Sequence, residues 1–444
     1  MSLDTLNIGV CGVGTVGLAT MDILMRQAEV LKARSGKSMK LVHVGARREH
    51  PDHDYGDARV SQDVMALAED PEIDVLVELI GGTSAAYDLI KRAIQQGKHI
   101  VTANKALIAE HGNELIALAE ASGVQIRFEA AVAGGIPIIK ALRESMAGNE
   151  VTEVAGIING TGNFILTEMS TKGRAFDEVL AEAQSLGYAE ADPTFDIDGT
   201  DAAHKLVILA SLAFGVPLDI ESPFKQGIDA LTPEDLDYAA EMGYRVKHLG
   251  IARQQAAGIE VRVHPTLIPE SKQLATVDGV LNAVMVTGSA VGELVLVGPG
   301  AGGPATASSV CADIVDIARS PLGSGPALGL PAASLNATAL IASDDIASEW
   351  YVRLTVADRP GVMSNITQTL ADRDISIESL VQKAPLSGQP EVPIVLLTHQ
   401  TPGSVISEAI EEITGLPDVQ SDYDCTSGRP VISSIASLIT DPGV

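Results

Sequence analysis

Cysteines and long apolar runs are scarce in this sequence. The three cysteines, Cys11, Cys311 and Cys425, lie far apart and form no CxxC pair. This spacing favours free thiols in a reducing cytoplasm over a disulfide framework. No charge-free stretch approaches the roughly 20 residues of a membrane-spanning helix, and the first residues lack the basic segment of a secretory signal. We therefore expect a cytoplasmic protein.

Positive charge is also scarce. Lys and Arg number 30 against 58 Asp and Glu, so the formal net charge is −28. Such a surface repels phosphate groups, and we expect neither nucleic acid nor an anionic membrane as a partner. A small anionic ligand would need a local basic site.

The chain of 444 residues is too long for one hydrophobic core. Strand and helix patterns alternate over residues 1–132, which predicts an α/β, Rossmann-type doubly wound parallel sheet. Residues 133–320 mix helices with alternating strands and predict an α+β unit whose last helix returns to the first domain. A Ser/Pro/Gly/Ala-rich linker (321–345) leads to a βαββαβ pattern (346–422), and the tail 423–444 is weakly patterned.

A glycine-rich turn separates the first apolar strand from an amphipathic pattern that predicts one helix over 15–31. The turn follows the GxGxxG pattern with Gly12, Val13, Gly14, Thr15, Val16 and Gly17. The first glycine allows a tight turn, the second lets backbone amides approach a pyrophosphate, and the third lets helix and strand pack closely. An ordinary Gly-rich turn is the alternative, but this context predicts a dinucleotide site.

The end of the second predicted strand bears on the choice between NAD and NADP. An acid there would bind the ribose 2′-hydroxyl of NAD, whereas an arginine would accommodate the 2′-phosphate of NADP. The sequence has Arg47 and Arg48 and no acid at the expected place. We predict NADP; binding of NAD, with Arg47 as a solvated strand-end charge, stays open.

A cation and an anion share the apolar face of one predicted helix. Asp201 and Lys205 lie one turn apart, on the face of Ile208 and Leu212. An unpaired ammonium in an apolar site costs several kcal/mol, so we expect Asp201 to pair with Lys205. A structural ion pair is the alternative to a reaction site.

Three further polar segments favour the reaction site. NGTGNFIL (159–166) follows an apolar strand, and the acidic loop 187–199 precedes the helix of Lys205. In TANK (102–105), Lys105 follows the C-terminal end of a strand, the edge that lines the ligand crevice of open α/β sheets. Such an ammonium would contact nicotinamide or substrate, with a surface lysine as the alternative.

Together these segments resemble homoserine dehydrogenase. The resemblance extends to about residue 320, and its markers are NGTxNFIL, GYAEADPTFDIDGTDAAHK, TANK and GPGAGGPATASSV. It implies NAD(P)H-dependent reduction of L-aspartate 4-semialdehyde to L-homoserine, in threonine, methionine and isoleucine biosynthesis. Residues 133–320 would then be the catalytic and dimerisation domain.

The resemblance also implies roles for single residues. Lys205 would protonate the carbonyl oxygen as general acid, Asp201 would orient Lys205 or bind substrate, and Lys105 would lie beside nicotinamide and substrate. An ammonium suits a reaction that builds negative charge on oxygen. Glu190 would hold the substrate's ammonium. It would be helped by Asp196, Gly160, Thr161 and Tyr188, and the loop of Gly300, Ala301 and Gly302 would return to the cofactor.

The segment FEAAVAGGIP (128–137) resembles the family's site for a monovalent cation, usually Na⁺. The implied ligands are Glu129 and the carbonyls of Val132, Gly134 and Ile136, and hard oxygen ligands suit an alkali ion. A plain Gly-rich hinge is the alternative, and the sequence leaves both open.

LTVADRPGVMSNITQTLADRDISI resembles the ACT domain, a ferredoxin-like sensor of small molecules. Its marker is the turn Asp358, Arg359, Pro360, Gly361 and Val362, where free amides at a helix start can hold a carboxylate. ACT domains pair across dimers and bind effector amino acids at the seam. We expect a homodimer or homotetramer and inhibition by threonine; a role in assembly alone is the alternative.

Two other functions fit parts of the sequence. Aspartate-semialdehyde dehydrogenase shares the Rossmann domain and the aldehyde but needs a cysteine nucleophile, and no cysteine here has a catalytic context. A non-catalytic sensor of NADP(H) and amino acids would not need Asp201 and Lys205. No kinase-sized segment precedes residue 6, so we do not expect the bifunctional kinase–dehydrogenase.

Overall fold

The structure is a computed structural model. It describes residues 4–48, 50, 52–221, 223–320, 325–383 and 391–420, and the backbone of 432–435. In these residues every helix is too short or too polar to cross a membrane.

The first domain is built on a six-stranded sheet. Its strands are β1 (Thr5–Cys11), β2 (Ser38–Gly45), β3 (Arg59–Ser61), β4 (Val75–Glu78), β5 (His99–Thr102) and β6 (Ile126–Arg127). The order is β3-β2-β1-β4-β5-β6, and all neighbouring pairs are parallel. This order confirms the predicted Rossmann-type sheet. It reverses between β1 and β4, where such sheets bind dinucleotides.

Helices cover both faces of this sheet. They are α1 (Thr15–Arg26), α2 (Ala28–Ser35), α3 (Met65–Glu69), α4 (Ser84–Gln95) and α5 (Lys105–Ala121). The prediction of one helix over 15–31 is wrong, because the chain leaves helical geometry at Gln27. After this break α2 buries Leu31 in the same core as Ile8 and Val44.

The second domain has a mainly antiparallel sheet covered by helices. Its strands are β7 (Val151–Ile157), β8 (Phe224–Lys225), β9 (Tyr244–Gln255), β10 (Gly258–Pro269), β11 (Leu281–Gly288) and β12 (Gly292–Pro299). Its helices are α6 (Ile138–Lys140), α7 (Gly160–Lys172), α8 (Phe176–Ser185), α9 (Thr194–Ile197), α10 (Thr200–Phe214), α11 (Pro233–Glu241) and α12 (Gly303–Arg319). The main strands run β12-β11-β7-β9-β10. Helix α10 packs Leu206 against Val154 and Ala252, whereas α12 places Val310 and Ile314 in the core of the first domain.

The third domain follows a segment that lies along the second sheet. The Ile341 amide donates to the Ile259 carbonyl at 2.9 Å, and the Ile259 amide donates to the Ala339 carbonyl at 3.0 Å. Residues 339–341 of the predicted linker are therefore attached to β10.

The third domain has the ferredoxin-like strand order. Its elements are β13 (Ala347–Ala357), α13 (Val362–Ala371), β14 (Ile377–Gln382), β15 (Glu391–Thr398), β16 (Thr401–Pro402), α14 (Gly403–Thr414) and β17 (Val419–Gln420). The four main strands lie in the order β17-β13-β15-β14 with antiparallel neighbours. A strand of the predicted tail, β18 (Ile432–Ile435), pairs with β10 and β13 and joins the two sheets. The other tail residues lie outside the described residues.

Candidate active site

The glycine-rich turn between β1 and α1 tolerates no side chain at two of its glycines. Gly12 has a φ of +109°, and a Cβ there would clash with the Leu79 carbonyl. A Cβ at Gly17 would clash with the Gly12 carbonyl. Gly14, by contrast, faces open space and is the N-cap of α1. The turn therefore has the close approach and the free helix start that a pyrophosphate site needs.

A cleft of about 760 Å³ opens beside this turn. Its described lining consists of Gly12, Val13, Gly14, Gly45, Ala46, Arg47, Arg48, Val64, Leu79, Ile80, Gly81 and Ala85, among which there are two arginines and no carboxylate. Arg47 and Arg48 are exposed. The N-terminus of α12 also adjoins the turn, because a Cβ at Gly303 would lie 2.9 Å from the Thr15 carbonyl; Gly302, the N-cap of α12, precedes it.

Glu78, which the sequence analysis did not single out, organises the far side of the cleft. Its buried carboxylate accepts the amides of Ile80 and Gly81 at 2.8 and 3.2 Å and the Thr102 hydroxyl at 2.6 Å. Thr102 in turn accepts the amide of Asn104, the N-cap of α5. Glu78 thereby fixes the turn that presents Lys105.

Asp201 lies between two lysines. Its Oδ2 accepts from Lys205 Nζ at 2.6 Å, and its Oδ1 lies 3.0 Å from Lys105 Nζ. Lys205 Nζ also donates to the Ile158 carbonyl at 2.7 Å. The predicted contact between Asp201 and Lys205 is thus present, and Lys105 joins the pair from the first domain.

Asn159 connects the two carboxylates of the cluster. Its Nδ2 donates to Asp196 Oδ1 and to Asp201 Oδ2, both at 2.9 Å. Its Oδ1 accepts the Gly162 amide at 2.7 Å, which caps the N-terminus of α7. From the sequence, the Asn and Thr of NGTGNFIL were expected to present amide and hydroxyl groups at this turn. The N-cap was not predicted, although an Asn after a strand and before a helix is a common N-cap.

Burial and mutual charge together shift the pKa values of this cluster. Burial opposes the charge on Asp201, but Lys205, Lys105 and hydrogen bonds outweigh it and hold the pKa of Asp201 well below its usual range. Burial lowers the pKa of Lys105, and Asp201 more than reverses this, so its pKa is raised. Burial and the charge of Asp201 raise the pKa of Asp196, which lacks a direct lysine contact in the described structure.

The other predicted substrate residues surround the cluster. The Thr161 hydroxyl donates to the Tyr188 carbonyl at 2.7 Å, one residue after Gly160, where α7 begins. The Tyr188 ring is 44% exposed and meets Phe164 edge-on at 5.2 Å. Glu190 is exposed, but its charge contributes to the raised pKa of Lys105.

The segment predicted to hold a cation is buried at the junction of the first two domains. Glu129 accepts the amides of Ile139 and Lys140, both at 2.9 Å, and burial, with the charge of Asp313, raises its pKa to about 8. The Gly134 carbonyl accepts the Ser309 hydroxyl at 2.7 Å. The Ile136 carbonyl accepts the Ile138 amide at 2.8 Å, and Val132 is fully buried. Within the described residues no cluster of three His, Cys, Asp or Glu side chains is suited to a metal.

The predicted effector turn lies between β13 and α13. Gly361, with a φ of +97°, is the N-cap of α13, and Val362 is buried beneath it. Asp358 and Pro360 are exposed, and Arg359 forms an ion pair with Asp418. The helix start is therefore accessible on the protein surface.

The described cysteines are structural. Cys11 lies in β1 and Cys311 in α12, and both are buried. Burial raises the pKa of the Cys311 thiol to about 12, and that of Cys11 even further. Neither is suited to be a thiolate nucleophile. Cys425 lies outside the described residues.

Comparisons with known proteins give one family for all three domains. Family models described as "Homoserine dehydrogenase, NAD binding domain", "Homoserine dehydrogenase" and "ACT domain" match residues 12–129, 137–315 and 350–418. A homoserine dehydrogenase of Pseudomonas aeruginosa is 49% identical over 94% of this chain and 97% of its own length. The chain belongs to the homoserine dehydrogenase family. A Neisseria gonorrhoeae homoserine dehydrogenase is 48% identical over 94% of this chain and 97% of its own.

A solved homoserine dehydrogenase structure agrees with this family. The enzyme of Thiobacillus denitrificans is 47% identical, with a TM-score of 0.91 over 97% of this chain and 98% of its own. Homoserine dehydrogenases are oxidoreductases, so the non-catalytic sensor and the cysteine-dependent semialdehyde dehydrogenase are excluded for this chain. The predicted dinucleotide-binding and ACT domains are confirmed by their family models.

Proposed function

We propose that this homoserine dehydrogenase reduces L-aspartate 4-semialdehyde to L-homoserine with NADPH, in the biosynthesis of threonine, methionine and isoleucine. The main support is the position of Asp201 between Lys205 and Lys105. Two ammonium groups from two different domains there contact one carboxylate. The two lysines and Asp201 lie beside the dinucleotide-binding domain, because Lys105 begins α5 directly after β5. The carbonyl group of the substrate must meet the cofactor at this edge.

The cofactor would be held by the turn Gly12–Gly17 and by Arg47 and Arg48. The turn offers backbone amides to the pyrophosphate, and the arginines offer a fork of donors to the 2′-phosphate. When bound, NADPH supplies the hydride. The absence of a carboxylate from the described cleft lining supports NADP over NAD.

Lys205 acts as the general acid. Its ammonium has three donors, and two of them are used by Asp201 and the Ile158 carbonyl within the described structure. The third is available to the substrate's carbonyl oxygen, where charge develops as it is reduced. Lys105 adds a second positive charge, and Asp201 holds both lysines in place.

Carboxylates at the rim bind the amino group of the substrate. Asp196 lies against Asn159, and Glu190 is exposed at the same loop. Their negative charge complements an ammonium, while Gly160, Thr161 and Tyr188 shape the wall beside it. In this assignment the carboxylates bind the amino end of the substrate, and the lysines act on its carbonyl group.

A monovalent cation, Na⁺ by preference, would stabilise the junction near Glu129. Support comes from two buried carboxylates: Asp313 Oδ2 accepts the Glu129 amide at 2.7 Å, and Asp313 Oδ1 is buried without a hydrogen-bond partner in the described structure. The carbonyls of Val132, Gly134 and Ile136 add neutral oxygens, and each carbonyl can accept more than one bond. A cation there would offset the buried negative charge.

The ACT domain would bind threonine and lower the activity. The accessible amides at the start of α13, with Asp358, Pro360, Gly361 and Val362 around them, suit an amino acid's carboxylate. We further propose a homodimer or homotetramer, in which paired ACT domains complete the effector sites.

The test is oxidation of NADPH in the presence of aspartate semialdehyde. We expect turnover with NADPH, weaker turnover with NADH, and inhibition when threonine is added. Lys205→Ala should retain NADPH binding, measured by fluorescence, and lose most turnover. The proposal is wrong if the pure enzyme oxidises no NADPH with this aldehyde.

A further inference from the structure

Asp235, in the first turn of α11, receives two side chains from the ACT domain. Its Oδ1 accepts the Tyr351 hydroxyl at 2.9 Å and Arg353 Nε at 2.6 Å, and its Oδ2 accepts Arg353 Nη2 at 3.2 Å. Asp235 and Tyr351 are each 2% exposed. Burial, together with Asp235, raises the pKa of Tyr351, so its hydroxyl stays a donor.

The same carboxylate fixes the chain that enters α11. Asp235 Oδ2 accepts the Thr232 amide at 3.0 Å and the Thr232 hydroxyl at 2.7 Å, and the Asp235 amide donates back to the Thr232 hydroxyl. This is a capping box. Asp235 thus joins the ACT strand β13 to the segment that precedes α11.

That preceding segment, residues 226–231, lies behind the acidic loop of the active site. The Ile228 amide donates to the Ile197 carbonyl at 3.0 Å. A Cβ at Gly227 would lie 2.6 Å from the same carbonyl, so the two backbones are in close contact. Ile197 directly follows Asp196, whose carboxylate accepts from Asn159.

Ile228 also contacts the helix that begins at the site. It is fully buried, and its Cδ1 lies 3.6 Å from where a Cβ at Gly162 would be, in the first turn of α7. Ile228, Tyr351 and Leu166 belong to one hydrophobic cluster. The path from β13 to Asp196 is therefore continuous in hydrogen bonds and in packing.

We propose that Asp235 is a positioning residue for substrate binding: anchored by Tyr351 and Arg353, it holds segment 226–231 against Ile197 and so places Asp196. The proposal rests on the proposed function, in which Asp196 binds the substrate's ammonium. Asp235 is not among the residues proposed to contact substrate or cofactor. Its loss changes the affinity for the aldehyde substrate and leaves hydride transfer and NADPH binding as they were.

The test compares Tyr351→Phe, Arg353→Gln and Asp235→Asn in the full chain. Tyr351→Phe is nearly isosteric and removes one hydroxyl, so it remains informative where Asp235→Asn fails to fold. We expect KM for aspartate semialdehyde to rise about fivefold in Tyr351→Phe, the effect of one lost buried hydrogen bond, and at least as much in the other two variants, which lose more contacts. We expect kcat and the Kd for NADPH to stay within twofold.

Lys383→Ala is the matched control. Lys383 Nζ lies 2.6 Å from Glu241 Oε1, an exposed ACT contact at the opposite end of α11, and it does not involve Asp235. This variant should keep the wild-type KM. Thermal unfolding of every variant shows that the assays are made on folded protein.

The outcomes separate the two proposals. A wild-type enzyme that does not reduce aspartate semialdehyde refutes the proposed function. A wild type that turns over, with unchanged KM in all three Asp235-contact variants, refutes the positioning role. It is also refuted if KM rises, kcat falls and NADPH binding weakens by similar factors, because such uniform changes indicate a general structural role.

Discussion

Asp201→Asn should remove most of the activity, because it leaves two ammonium groups without the anion between them. Asp201 Oδ2 lies 2.6 Å from Lys205 Nζ and Oδ1 3.0 Å from Lys105 Nζ, and only 10% of the Asp201 side chain is exposed. Without this carboxylate neither lysine is held in position, and a misplacement of about 1 Å in a catalytic site can cost about 10²-fold in rate. We therefore expect kcat/KM to fall by about 10²-fold or more.

The assay is NADPH oxidation with aspartate semialdehyde, with NADPH affinity measured in parallel. Asp192→Asn is the control, since Asp192 lies in the acidic loop 187–199 that precedes α10, is exposed, and accepts only from Thr194 in the described structure. It should stay within twofold of wild type. A folded Asp201→Asn enzyme that keeps a fifth or more of wild-type kcat/KM would refute the reasoning.

The pH dependence of stability tests the same ion pairs. The folded-state pKa of Asp201 is below its ordinary value of 3.8, so its charge stabilises the folded state above that pH. This contribution is lost as the pH falls through the folded-state pKa. The free energy of unfolding in urea should therefore differ between wild type and Asp201→Asn at pH 7 and pH 5. The difference should shrink below about pH 4; a constant difference would show that charge is not its origin.

Three further predictions concern the cofactor and the cation. Replacing Arg47 and Arg48 with Ser should raise the Kd for NADPH about tenfold or more and change that for NADH little, as fluorescence titration would show; equal effects on both would contradict the NADP assignment. Gly12→Ala should abolish NADPH binding, since its Cβ clashes with the Leu79 carbonyl, whereas binding at wild-type strength would contradict this geometry. Na⁺ should raise the wild-type melting temperature relative to choline at equal ionic strength but not that of Glu129→Gln, and an equal rise in both would argue against the cation site.

Local patterns were sufficient to predict the architecture. The alternation of strands and helices identified the Rossmann sheet, and the βαββαβ pattern identified the third domain, because both folds repeat units that are short in sequence. The break at Gln27 was missed since the apolar pattern continues across it, and the turn is set by packing of α2 against the sheet. The strand β18 was missed because its partners, β10 and β13, are distant in sequence.

The site was predictable to the extent that its residues lie within motifs. Asp201 and Lys205 are one helical turn apart, so their contact followed from spacing. The contact of Asp201 with Lys105 joins two domains and has no local signal. The role of Glu78 was not predicted, because the sequence gives no sign that an acid within an apolar strand has a special function. That role follows only from its hydrogen bonds to the turn after β4 and to Thr102.

Asn159 explains how one carboxylate can serve two lysines. A cationic side chain in place of Asn159 would compete with Lys105 and Lys205 for Asp201. An anionic side chain there would repel Asp201. The neutral amide donates to both Asp201 and Asp196 without changing the charge, and its Oδ1 is occupied by the α7 cap. Asp201 and its two lysines therefore carry a formal net positive charge, which under the proposed function suits a developing oxyanion and leaves Asp196 for the substrate's ammonium. In the proposed reaction, the aldehyde end of the substrate therefore meets the two lysines, and its ammonium end meets Asp196.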